Sequence, residues 1–182
     1  ERTGFVHMMS DVVRKELAGR KPEEIDFEQF GEGIYSEHFT ERTYAEFAKR
    51  AEGFLRQGRS VITDATFSKR RYLKKVMDAA AAVGATVHVI ECVASNATVR
   101  ARLEERRWEA DNVSDADWRI YLGKKASFEE IPGPHLVVEH RLHRRTEVVR
   151  SEDPVALAVD RLALAVDHVV VLDDVLAHIE VV

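Results

Sequence analysis

Residues 60–93 read SVITDATFSKRRYLKKVMDAAAAVGATVHVIECV, and this stretch decides the fold. Its first eight residues, Ser60 to Phe67, are β-branched and apolar and predict a strand that ends on an aspartate, Asp64. Ser68 is expected to cap a helix that turns Tyr72, Leu73, Val76, Met77, Ala80 and Val83 inward and stops at Gly84. Thr86 to Val93 then predicts a second strand. A strand, a crossover helix and another strand form a βαβ unit, which implies parallel pairing with helices on the faces of the sheet.

The same alternation extends in both directions. Upstream, Phe5 to Met9 (FVHMM) predicts a strand that leads through Ser10-Asp11 into a helix over Val12 to Ala18, closed by Gly19. Lys21 to Glu37 is the loosest stretch. Thr40 is expected to cap a helix carrying Tyr44, Phe47, Ala48, Ala51, Phe54 and Leu55, ended by Gly58. Downstream come a helix from Ser95 to Glu109, another segment from Asp115 to Phe128, a short strand from His135 to Val138, and a helix opened by Pro154. The apolar end, His168 to Val182, fits strand or helix equally. No internal repeat and no second composition regime appears, so one mainly parallel α/β domain is expected.

Composition narrows the function classes. The 182 residues hold 27 basic and 32 acidic side chains, a net charge of −5, which gives no support to a non-specific nucleic-acid coat. One cysteine, Cys92, cannot form an internal disulfide, so a reducing, cytoplasmic compartment is the simpler expectation. No apolar run is long enough to span a membrane as a helix. The eight histidines lack metal-ligand spacing, and no G-x-S-x-G elbow occurs, so neither a zinc site nor a hydrolase elbow is indicated. A haloacid-dehalogenase phosphatase fails on spacing, because Thr66 stands where a second aspartate is required.

In an open parallel sheet, ligands bind beyond the carboxyl ends of the strands. Two strands here end in aspartate, Asp11 and Asp64, and such carboxylates can hold a cation or accept a substrate proton. Arg14 follows Asp11 by three residues and shares its helix face. Arg100, Arg102, Arg106 and Arg107 form a series in which Arg102 and Arg106, four apart, could grip a phosphate chain together. Residues 140–150 (HRLHRRTEVVR), with Arg145 among them, make a basic patch able to meet a nucleotide or nucleic acid. Each feature has a bland counterpart: a helix cap for Asp11, a surface position for Arg14, a turn residue for Asp64, a solvated face for the arginines, an exposed loop for the patch.

Taken together, Ser10-Asp11-Val12-Val13-Arg14-Lys15, Gly58 to Phe67 (GRSVITDATF) and Arg102-Leu103-Glu104-Glu105-Arg106 resemble the P-loop kinases of the AAA-33 or zeta-toxin-like type. The likeness is to predicted kinase, ATP-binding domains found alone or fused behind aminoglycoside-phosphotransferase-like domains, and more distantly to the kinase half of phage polynucleotide kinase. It covers roughly positions 1 to 166, with a lid at about 100–115, and leaves 167–182 as an extension of uncertain structure. The resemblance implies a three-layer α/β fold with a parallel sheet and an ATP- and Mg²⁺-dependent phosphotransferase. The acceptor would be a hydroxyl of a small molecule or a nucleic-acid end. It further implies Asp11 as general base, Arg14 as holder of the acceptor or its phosphate, Asp64 as support for the Mg²⁺ shell, and Arg106 with Arg102 as lid arginines over the phosphoryl group. Arg145 would contact the nucleotide.

One part of the family pattern is absent from residues 1–182: no G-x-x-x-x-G-K-[ST] phosphate loop occurs. In the family that loop precedes a helix of which Glu1-Arg2-Thr3-Gly4 resembles the tail, and its strand occupies the middle of the sheet. The expectation is therefore that further residues precede position 1, including a possible fused or separate N-terminal segment. The alternative is a non-catalytic nucleotide-binding or interaction domain that has lost the loop and repaired its sheet otherwise, for instance with His168 to Val182.

Overall fold

A computed structural model describes residues 5–22, 24, 31–106, 118–140, 147–148 and 168–173. For residues 105, 106, 120, 124 and 139–140, and for the two short segments 147–148 and 168–173, it describes the backbone alone. The elements follow in the order β1 (Val6–Met9), α1 (Ser10–Leu17), a 3₁₀ turn (Gly33–Tyr35), α2 (Glu37–Leu55), β2 (Val61–Asp64), α3 (Arg70–Ala81), β3 (Thr86–Ala94), α4 (Asn96–Arg106), α5 (Trp118–Ala126), β4 (Leu136–His140), β5 (Glu147–Val148) and β6 (His168–Asp173).

Periodicity explains the helices. In α2, Thr43, Tyr44, Phe47, Ala48, Ala51 and Leu55 recur at helical spacing and are buried; in α3, Tyr72, Leu73, Val76, Ala79 and Ala80 do the same. These two stripes meet Met8, Val61, Ala65 and Phe67 in one core, where Phe47, Ala51 and Val76 are wholly buried. Gly58 (φ +68°) and Gly84 (φ +73°) turn the chain out of the two helices in the left-handed conformation that glycine adopts freely. Arg71 and Lys75 of α3 pair with Glu41 of α2, tying the exposed sides of the two helices together.

Both expected caps are corrected. Thr40 lies inside α2; the cap is Ser36, whose Oγ accepts from the Phe39 amide at 3.3 Å. Ser68 does not cap α3 with its side chain either. Glu129, distant in sequence, accepts from the Arg70 amide through Oε2 at 2.9 Å, and its own amide donates to the Ser68 carbonyl at 3.0 Å. A carboxylate from another segment has replaced the local hydroxyl, which propensity alone does not foresee.

The six strands form one sheet in the order β1-β2-β6-β3-β4-β5. β1 pairs with β2 and β3 with β4 in parallel, as the βαβ reading requires. The sheet is nevertheless mixed, because β6 runs antiparallel to both β2 and β3, and β5 runs antiparallel to β4. The expectation of a mainly parallel sheet thus holds for β1 to β4 and fails where later chain is added. His168–Asp173, whose pattern left strand and helix open, is a strand (HVVVLD) in the middle of the sheet. Its unbroken Val169-Val170-Val171-Leu172 run suits a strand paired on both edges.

A second apolar cluster, Ile62, Ile90 and Val138 with Phe5, Cys92 and Leu136 packed against it, occupies the opposite face of the sheet from the Val61 side. Cys92 belongs to this packing. No helix among the described residues is long and apolar enough to cross a membrane. The Gly4 stop and the Pro154 helix lie outside the described residues, as do positions 23 and 25–30 of the Lys21–Glu37 stretch.

Candidate functional site

Met9 and Asp64 are register partners in the parallel β1–β2 pair. Asp11, two residues beyond Met9, stands in the first turn of α1, so both carboxylates rise from neighbouring strands at the same carboxyl edge of the sheet. The N-cap of α1 is Met9, and no side chain caps it, which removes the bland reading of Asp11 as a cap. An aspartate in the first helical turn still interacts favourably with the positive end of the helix dipole.

Arg14 is buried, with 6% of its surface exposed, and so is no surface residue. Its Nη1 donates to the Ile34 carbonyl at 2.6 Å and to Thr40 Oγ1 at 3.0 Å, and its guanidinium lies 5.0 Å over the Tyr35 ring. Nε, 3.9 Å from Asp11 Oδ1, has no hydrogen-bond partner among the described residues. A buried charged donor without a partner is costly, so this nitrogen is a ready contact for an incoming oxygen beside Asp11. Its neighbour Lys15 is more deeply buried still, at 1% exposure, and Nζ donates to the Pro22 carbonyl at 3.0 Å.

Asp64 is the last residue of β2, and its side chain is 14% exposed. His7 Nε2 of β1 lies 3.4 Å from its Oδ2. This is a diagonal cross-strand pair, since His7 is in register with Ile62. Alternation along β2 puts Asp64 on the Ile62 face, whereas Arg14 reaches Thr40 of α2 on the Val61 face. The two acids therefore share one rim and lean to different sides of it.

Between them runs the turn Ala65-Thr66-Phe67. Phe67 has a positive φ of +44°, uncommon for a residue with a bulky side chain. Its amide donates to Tyr44 Oη at 3.1 Å. Burial pushes the Tyr44 hydroxyl well above the usual phenol range, so it stays protonated.

The arginine series lies elsewhere, on α4. Arg100 pairs with Glu104 at 3.2 Å on the exposed side of the helix, the solvated arrangement its spacing allowed. Arg102 is half-buried. The backbone of Arg106 closes α4, its side chain lying outside the described residues, as do Arg107 and Arg145. Beyond it, Trp118 and Tyr121 of α5 stack at 5.3 Å, and Lys125 donates to Asn96 Oδ1 at 2.8 Å, binding α5 to the start of α4.

The described residues contain no cluster of three or more His, Cys, Asp or Glu side chains able to hold a metal by themselves. Mg²⁺ commonly takes one or two carboxylates and completes its shell with water and phosphate oxygens, and Asp64 is a strand-end carboxylate that could serve as one such donor. A hollow of about 410 Å³ follows the outer side of β1 between Val6, Met9, Val12 and Phe54; neither Asp11 nor Asp64 lines it.

Sequence reasoning missed four participants: His7, Tyr44 as partner of Phe67, and the Ile34–Thr40 anchor of Arg14. His7 carried a faint signal, being the one polar residue in an apolar strand. The other contacts are long-range and leave no local trace.

Comparison with protein families gives one match: the model of the AAA_33 family, described as an AAA domain, covers residues 1–131. Comparisons with curated proteins and with solved structures find no significant match.

Proposed function

Because the chain belongs to this AAA domain family, of the P-loop NTPase type, we propose that it is an ATP-dependent phosphotransferase acting on a hydroxyl group. The observation that carries the reading is the shared rim: Asp11 and Asp64 at adjacent strand ends, with the unpartnered Nε of buried Arg14 beside Asp11. In this reading the acceptor is a small molecule or a nucleic-acid end. The kinase-like domain spans 1–166 with helical layers on both faces of its sheet, and 100–115 form the lid.

Asp11 accepts the proton of the acceptor hydroxyl, whose oxygen attacks the γ-phosphorus as the bond to the bridging oxygen breaks and ADP leaves. Arg14 Nε orients the acceptor oxygen, the guanidinium being held by the bonds from Nη1 to Ile34 and Thr40. Asp64 would hold Mg²⁺, which would neutralise phosphate charge when bound. Arg102 and Arg106 close over the phosphates, with Arg145 on the nucleotide, and exclude water as a competing acceptor.

The reading is tested by titrating the full chain with MgATP and then measuring ADP release against a panel of alcohols, sugars, nucleosides and oligonucleotide ends. Acceptor-dependent ADP release supports it. Binding without release favours the second reading, a nucleotide-binding or interaction domain, which gains support from the antiparallel β6 in the sheet's centre. No binding at all rejects the phosphotransferase and any nucleotide-binding role, and leaves the interaction domain alone standing.

A further inference from the structure

We propose that Tyr44 is a positioning residue that latches the turn carrying Asp64, and this proposal rests on the phosphotransferase reading above. The turn Ala65-Thr66-Phe67 connects the end of β2 to the approach of α3 and sets the direction in which Asp64 leaves the sheet. Among the described residues, Phe67 is the sole non-glycine with positive φ. L side chains adopt this conformation reluctantly, and such strain persists only where the surroundings over-determine it.

Here the surroundings are specific. The Phe67 amide donates to Tyr44 Oη at 3.1 Å, and the Phe67 ring sits 5.6 Å from that of Tyr44 and 6.5 Å from that of Phe47. Tyr44 in turn cannot shift easily, because its ring stacks on Tyr72 at 4.3 Å and 4°. The held conformation is thus fixed by a hydrogen bond to the backbone as well as by ring packing in the core.

The same hydroxyl senses the other half of the rim. Arg14 and Asp11 are near enough for their charges to act on it in opposite directions. Tyr44 thus stands between the strained turn after Asp64 and the Asp11–Arg14 pair. Without its oxygen, the Phe67 amide loses its acceptor, φ relaxes to a negative value, and Asp64 swings relative to Asp11.

The test uses Tyr44→Phe, which keeps the stacked ring and removes only the oxygen. Amide exchange of residues 65–68 is expected to quicken at least tenfold, while α2 and α3 stay protected; unchanged exchange there overturns the latch. MgATP turnover of the full chain is expected to fall about tenfold in Tyr44→Phe, yet less than twofold when Tyr44→Phe is added to Asp64→Asn, because residues acting as a unit are not additive. The melting temperature should drop equally in both backgrounds. An equal loss of turnover in both backgrounds means a merely structural role and overturns the proposal. Should the wild-type chain show no turnover, the phosphotransferase reading fails, and the exchange of residues 65–68 decides the latch alone.

Discussion

The molecule sets arginine beside carboxylate in two very different ways. On α1, Arg14 is buried, fixed by a carbonyl, a hydroxyl and an aromatic ring, and stands 3.9 Å from Asp11 with its Nε lacking a hydrogen-bond partner among the described residues. On α4, Arg100 meets Glu104 at 3.2 Å, but both side chains are about two-thirds exposed. The exposed pair is the shorter and by far the weaker, since water and salt screen it and side-chain entropy opposes it. The longer contact sits where the dielectric is low and the geometry rigid. Distance alone does not separate a site from a surface; burial and unmet hydrogen-bonding capacity do.

This contrast can be broken experimentally, beginning at the buried pair. Asp11→Asn keeps the shape of the rim and removes the base, so turnover of the full chain should fall by about 10² to 10⁴ with MgATP affinity nearly intact. An unchanged rate takes Asp11 out of the mechanism. Arg14→Met retains bulk but removes the donor to the Ile34 carbonyl and to Thr40 and leaves Asp11 without its guanidinium neighbour. A stability loss of about 1–3 kcal/mol in denaturant titration is expected, and a neutral result would mean that the cluster is better solvated than its burial implies.

The α4 side should respond in another currency. Arg106→Ala is expected to slow turnover more than it weakens nucleotide binding, with stability shifted by no more than about 0.5 kcal/mol. Equal losses in rate and affinity would reduce it to an ordinary binding group.

The smallest effect concerns Glu129. Its hydrogen bond from the Arg70 amide, helped by Lys69, holds its carboxyl below the usual range although it is exposed. A group whose pKa falls on folding adds stability above its unfolded pKa and loses it as pH drops through the folded value. The Arg70 amide resonance should therefore move only on acidification below the ordinary carboxylate range, and the start of α3 should fray there. A shift centred at the ordinary value would show that the bond is not formed.

Much of the fold was legible because apolar periodicity is local. Tyr44-Phe47-Ala48-Ala51-Leu55 and Tyr72-Leu73-Val76-Ala80 identify their helices, and VITD and TVHVIECV their strands, without reference to the rest of the chain. What could not be read depends on long-range partners. Sequence alone places the cap at Thr40, and it is the bond from the Phe39 amide to Ser36 Oγ that shows the helix starting earlier, with Thr40 inside it. The Val169–Leu172 run announces burial but not direction, so the antiparallel insertion of β6 stayed hidden. Within the site, Asp11 and Asp64 were visible as strand-end acids. His7 beside Asp64 and Tyr44 beneath Phe67 emerge only once β1, β2 and α2 have been brought together.

The most direct measurement replaces Mg²⁺ by paramagnetic Mn²⁺ in the presence of ATP and follows the backbone amides of the full chain by NMR. If phosphates and cation sit on the rim between β1 and β2, resonances of residues 10–12 and 63–66 broaden together, while those of 121–126 on α5 remain sharp. Broadening that spares either acid's surroundings, or that centres elsewhere in the chain, would contradict the account.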